Sequence, residues 1–135
     1  MRSLLDDSRG KALVLGTGGA SLAVRAGLEK IGMEYSVVSR YGEKAPYTYS
    51  DITDDVLKAY RLIVNASPVG MYPFYNEAPD LPYHALGSNQ ILFDLVYNPA
   101  ETLFLKRGQE RGCITKNGIE MLHIQADKAW EIWNA

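Results

Sequence analysis

A three-layer α/β fold, with helices on both faces of a doubly wound, mainly parallel sheet, is predicted by three features of the sequence. An apolar run of strand length, Lys11–Leu15, enters the glycine turn Gly16-Thr17-Gly18-Gly19-Ala20-Ser21 and passes at once into helix-forming sequence. A second strand, Glu34–Ser39, closes a strand–helix–strand unit within about thirty residues, and such a crossover is right-handed and leaves its strands parallel. Further apolar strands at Arg61–Asn65 and Gln90–Tyr97 alternate with helical sequence. With 135 residues, 47% of them hydrophobic, the chain suits one core and is short for two, so residues 1–135 are expected to form a single Rossmann-like domain.

Each element has its own signal. Residues 1–10 suggest a helical lead-in closed by Gly10. Lys11–Leu15 is continuous rather than alternating in apolar character, as a strand covered on both faces is. Ala20, Val24, Gly27, Leu28 and Ile31 recur at helical spacing, and the small Ala20, Ala23 and Gly27 are expected to bring that helix close to the sheet before Gly32 stops it. Tyr47–Tyr49 is a short strand candidate. Asp51–Ala59 is expected to be helical, with Thr53 as a cap and Asp54 and Asp55 in the first turn. After strand Arg61–Asn65, the prolines and glycine of Ala66–Pro73 exclude regular structure. Pro79 and Pro82 do the same later, and Asn98-Pro99 ends strand Gln90–Tyr97. Thr102 caps a helix that Gly112 ends, Cys113–Lys116 is a last strand, and Ile119–Trp133 a last helix, with Ile119, Leu122, Ala126, Trp130 and Trp133 on its core stripe.

Composition narrows the function. A formal net charge of −2 without a Lys or Arg run speaks against a nucleic-acid partner. The single Cys113 forbids an intrachain disulfide or a cysteine-cluster metal site, and fits a small buried apolar residue better than a reactive thiol. No apolar segment approaches membrane-spanning length, and the acidic Asp6-Asp7 interrupts any signal-peptide core, so a soluble, cytoplasmic protein without a membrane partner is expected.

The turn after the first strand suits a phosphate. Gly16 allows a sharp exit, Gly18 leaves no side chain between main chain and ligand, and the amides opening the next helix face the anion. Ser21, a small residue, takes the place of the third glycine of G-x-G-x-x-G. At the end of the second strand an NAD site usually carries Asp or Glu, and an arginine accommodates a 2′-phosphate; this chain has Ser39-Arg40, then Lys44. Arg40 also reads as a solvated loop cation. Asn65 lies where the ligand crevice of a parallel sheet opens, and either bonds a ribose or amide group or bonds its own turn. Asp94, inside an apolar run, needs partners and is expected to take neighbouring backbone amides. Met121 and Gln125 share a helix strip that faces either a ligand or solvent.

Five blocks in order, Val14–Ser21, Val38–Arg40, Asn65–Met71, Phe93–Pro99 and Asn117–Leu122 with Gln125-Ala126, resemble the NADP-binding half of shikimate dehydrogenase. The resemblance implies reversible reduction of 3-dehydroshikimate to shikimate with NADP(H), in the pathway to aromatic amino acids. By that resemblance Gly16, Thr17, Gly18, Gly19 and Ala20 hold the pyrophosphate, and Ser39, Arg40 and Lys44 the 2′-phosphate. Asn65, Ser67, Val69 and Met71 border the cofactor, Val96, Gly118 and Met121 shape the nicotinamide pocket, and Tyr97 and Gln125 meet substrate. Ala66-Ser67 stands where the family commonly has two threonines. The family's catalytic lysine–aspartate pair belongs to a separate N-terminal domain, and no residue here corresponds to it. The expectation is therefore a cofactor domain without turnover by itself, with self-association through an uncovered face; a quinate dehydrogenase domain, or a standalone nucleotide-binding or partner-docking module, is the alternative.

Overall fold

The computed structural model describes residues 10–39, 47–67, 69, 77–95 and 101–117. Six strands form one sheet: β1 (Lys11–Leu15), β2 (Glu34–Ser39), β3 (Tyr47–Thr48), β4 (Leu62–Asn65), β5 (Ile91–Asp94) and β6 (Ile114–Asn117). Among the described residues three α-helices accompany them: α1 (Gly19–Lys30), α2 (Asp54–Lys58) and α3 (Leu103–Glu110). The strand order is β3-β2-β1-β4-β5-β6 and every pairing is parallel. From β1 the chain winds outward to β2 and β3, then returns to build β4, β5 and β6 on the other side. The switch between β1 and β4 is where a doubly wound sheet opens its ligand crevice, at the carboxyl ends of the strands.

Alternation along the strands sorts the core into two layers. Ala12, Val14, Leu62, Val64, Ile91 and Phe93 face one side, where Val24 and Leu28 of α1 cover them. Leu13, Leu15, Ile63 and Leu92 face the other, under Leu57 of α2 and Phe104 and Leu105 of α3. This is the three-layer arrangement that the continuous apolar strands predict. Burying Val24 and Leu28 contributes about 1.5–3 kcal/mol each.

Several details differ from the sequence-based expectations. The close face of α1 is not Ala20 and Ala23, which are exposed; Ser21, Val24 and Leu28 are the buried residues, at i, i+3 and i+7. The small residue that matters for contact is thus Ser21, fully buried at the third-glycine position. The helix expected over Asp51–Ala59 is split. Asp51 closes a 3-10 turn over Tyr49–Asp51 by accepting from the Thr48 amide at 2.8 Å and the Thr48 hydroxyl at 3.0 Å. Ile52 is buried, and α2 starts afresh with the Thr53 hydroxyl accepting from Val56 N. Among the described residues of the fourth apolar run, Ile91–Asp94 form the strand, the last strand is displaced by one residue to Ile114–Asn117, and the short edge strand ends at Thr48. Helix α3 approaches β5 closely at Gly108, where a Cβ would lie 2.6 Å from Leu92 Cδ2. The expected helix over Ile119–Trp133 and most of the expected lead-in over 1–10 fall outside the described residues.

Candidate functional site

Strand β1 ends at the centre of the sheet, and its exit turn is fixed by contact. Gly16 adopts φ +112°, a conformation unfavourable for side-chain-bearing residues, and its amide donates to Val38 O at 2.8 Å. A Cβ at Gly16 would sit 3.1 Å from Ala66 O and 3.2 Å from Ser67 N, so the turn after β1 rests directly on the loop after β4. Two residues on, the chain makes no such demand. Gly18 is the N-cap of α1 with φ −79°, and a Cβ on Gly18 or Gly19 would meet nothing within 4 Å. No side chain caps this helix and no acidic residue occupies its first turn. Thr17 is half-buried beside it, and Gly18, Gly19 and Ala20 are exposed. The first turn, which carries the positive end of the helix dipole of about half a charge, is therefore left uncovered by the described residues.

Ser39 is buried at the end of β2, next to β1 on the side away from β4. Arg40 and Lys44 lie outside the described residues, as do Met71, Val96, Tyr97, Gly118, Met121 and Gln125.

The β4 side is organised by side chains. Asn65 is fully buried; its Nδ2 donates to Val69 O at 3.1 Å and to Asp94 Oδ1 at 3.1 Å, and its Oδ1 accepts from Ser67 N at 3.1 Å and Ser67 Oγ at 2.6 Å. Ser67 Oγ in turn accepts from Val69 N at 3.3 Å. Of the two readings of Asn65, the turn-bonding one describes its side chain, whose donors and acceptor are taken up within the chain. Ser67 and Val69, both half-buried, form the partly accessible part of this loop.

Asp94, fully buried, pairs with Asn65 in the β4–β5 register, and both side chains project to the α3 side. Its Oδ2 accepts from the Thr102 hydroxyl at 2.6 Å, and Thr102 Oγ1 accepts from Leu105 N as the cap of α3. Asp94 has the partners that a buried carboxylate needs, and two of them, Asn65 and Thr102, reach it through side chains. Sequence reasoning took Thr102 as a cap and missed its second bond; an aspartate ending an apolar strand eight residues before a capping threonine was the available signal. It also missed that the buried Ser21 Oγ has no hydrogen-bond partner among the described residues.

Away from the crevice, Cys113 is buried and its thiol donates to Gly87 O at 3.3 Å; burial pushes the thiol pKa up, which keeps it neutral. Burial raises Tyr83 strongly, and its hydroxyl donates to Pro79 O at 2.6 Å. Among the described residues no group of His, Cys, Asp and Glu side chains is placed to hold a metal, and no helix is long and apolar enough to cross a membrane.

An all-parallel doubly wound sheet with a bare glycine turn at its switch point defines a Rossmann-like domain. Across nine-tenths of its length the chain is similar to one half of shikimate dehydrogenases. It is 35% identical over 135 residues to shikimate dehydrogenase (NADP(+)) of Methanococcus aeolicus, covering 90% of this chain and 48% of the relative. With the corresponding protein of Carboxydothermus hydrogenoformans the identity is 36% over 137 residues, covering 91% and 49%. Shikimate 5-dehydrogenase of Thermus thermophilus, solved in complex with NADP(H) and shikimate, superposes with a TM-score of 0.75 at 32% identity, covering 93% of this chain and 49% of that one. The chain spans about half the length of the curated relatives it matches. No family model matches. The resemblance carried by the five sequence blocks is thus shown, and the relatives are named as NADP-dependent oxidoreductases.

Proposed function

We propose that residues 1–135 form the NADP-binding domain of a shikimate dehydrogenase, the enzyme that reversibly reduces 3-dehydroshikimate to shikimate. The observation that carries this reading is the exposed first turn of α1 at the β1–β4 switch point, where Gly18 and Gly19 meet nothing among the described residues that requires glycine. The Gly16–Ala20 turn receives the pyrophosphate through backbone amides and the helix dipole. Ser39, Arg40 and Lys44 take the 2′-phosphate of the adenosine half. Ser67, Val69 and Met71 border the other half, shaped by Asn65, while Val96, Gly118 and Met121 line the nicotinamide and Tyr97 and Gln125 meet substrate. NADP(H), when bound, supplies or accepts the hydride.

Reduction of a ketone also needs a proton donor at the forming alkoxide and contacts that hold the carbon near nicotinamide. No residue of this sequence matches the family's lysine–aspartate pair, so the 135 residues alone are expected to bind cofactor without turning over shikimate. A cytoplasmic location follows from this role, and self-association of the 135-residue chain is expected in sizing experiments.

Titration of the purified chain with NADPH and NADH tests the proposal. NADPH is expected to bind at least about tenfold more tightly, from charge-assisted contacts to the 2′-phosphate. Equal affinities, or an Arg40→Glu variant with unchanged NADPH affinity, would remove the Arg40 assignment. Shikimate oxidation by the chain alone would overturn the expectation of inactivity.

A further inference from the structure

We propose that Asp94, held by the Thr102 hydroxyl, is a positioning residue that fixes the loop after β4 for the nicotinamide-bearing half of the dinucleotide. The inference rests on the NADP-binding reading and assigns a division of labour within that site. A continuous hydrogen-bond path runs from the loop to the start of α3. Val69 N donates to Ser67 Oγ, Ser67 Oγ to Asn65 Oδ1, Asn65 Nδ2 to Asp94 Oδ1, and Thr102 Oγ1 to Asp94 Oδ2.

The direction of these bonds gives Asp94 its role. Asn65 can present either end of its amide to β5. Only with Nδ2 toward Asp94 does Oδ1 point at Ser67, whose amide and hydroxyl both donate to it. A carboxylate that accepts at both oxygens selects that orientation, and Thr102, donating to Oδ2 while capping α3, keeps the carboxylate in place. An isosteric amide at position 94 would present a donor as readily as an acceptor, and the Asn65–Val69 turn would lose its preference.

Topology tells which part of the ligand feels this. Residues at the end of β2 serve one half of a dinucleotide, and the loop after β4, across the switch point, serves the other. Loss of the Asp94 clamp should therefore weaken binding of the whole dinucleotide and spare its adenosine half.

The experiment compares the wild-type chain with Asp94→Asn, using NADPH and adenosine 2′,5′-bisphosphate as separate titrants and amide hydrogen exchange of Ser67 and Val69 in the free protein. Asp94→Asn is expected to weaken NADPH binding about tenfold, to leave the bisphosphate within about twofold, and to speed exchange at Val69 about tenfold while β1 stays protected. Thr102→Val should reproduce this pattern and Thr102→Ser, which keeps the hydroxyl, should restore wild-type behaviour; this pair carries the test if Asp94→Asn does not fold. Equal loss of both titrants, as from general destabilisation, or unchanged NADPH binding and exchange in Asp94→Asn, would overturn the proposal. If the wild-type chain binds neither titrant, the NADP-binding reading fails separately, and unchanged exchange at Ser67 and Val69 would still reject the clamp.

Discussion

The turn after β1 and the loop after β4 touch each other yet are built by opposite means. In the first, backbone conformation does almost everything: one glycine at φ +112°, one cap without a side chain, and a first helical turn that the described residues leave exposed. In the second, Asn65, Ser67, Asp94 and Thr102 satisfy one another. A buried polar group without a partner costs about 1–3 kcal/mol, so a closed network stabilises its own loop, whereas the exposed amides of α1 are left for an external anion. One region is complete without ligand and the other is not.

Substitutions can separate these two designs. The largest loss of stability is expected from Gly16→Val, which combines an unfavourable φ with a Cβ 3.1 Å from Ala66 O; about 3 kcal/mol should disappear in urea denaturation. A loss below about 1 kcal/mol would mean that the two loops do not press on each other. Asn65→Ala leaves Asp94 and Ser67 short of partners and should lower stability by about 2 kcal/mol. Gly19→Ala should do the reverse to the fold, raising stability by about 0.5 kcal/mol, because the position is helical and its Cβ meets nothing. The same substitution is expected to weaken NADPH binding, and a chain that gained stability with unchanged affinity would show that the open amides are not a binding surface. Smaller still is Ser21→Ala, which removes a hydroxyl without a partner among the described residues and should leave stability within about 0.3 kcal/mol of the parent chain.

Alkaline pH tests the other side of the sheet. Burial raises the Tyr83 and Cys113 pKa values in the fold, so the folded chain holds protons that the unfolded chain releases first. Stability from these groups is full below the unfolded values of about 9 for the thiol and 10 for the phenol, and falls as pH rises beyond them. Thermal midpoints measured from pH 8 to 11 should decline, and Tyr83→Phe should flatten the upper part of that decline. An unchanged slope in the variant would place the alkaline sensitivity elsewhere.

Much of the framework was legible in the sequence because it rests on local signals. Lys11–Leu15, the glycine turn and Glu34–Ser39 lie within one crossover unit, and the parallel pairing of β1 with β2 follows from its length. Thr53 and Thr102 cap as expected because a hydroxyl ahead of a helix reaches the amide three residues on. The misreadings arose where a side chain had two possible uses. Asp51 resembles a first-turn helix residue, but here it bonds back to Thr48 and closes a separate turn. Asp94 was legible as a buried carboxylate in need of partners, yet Asn65 is distant in sequence and only the sheet register brings the two together. Alanine spacing suggested the wrong close face for α1 because composition does not reveal helix rotation, which the burial of Ser21, Val24 and Leu28 defines.

The central place of β1 also has a consequence for assembly of the chain. Every neighbouring strand is joined to it by a crossover, none by a hairpin, so both of its edges must be closed by segments distant in sequence. The β1–α1–β2 unit can close one edge early, but the other stays bare until β4 arrives from beyond β3 and α2. A partly folded chain would thus expose the unpaired edge of its central apolar strand, and conditions that delay docking of β4 should favour aggregation over refolding.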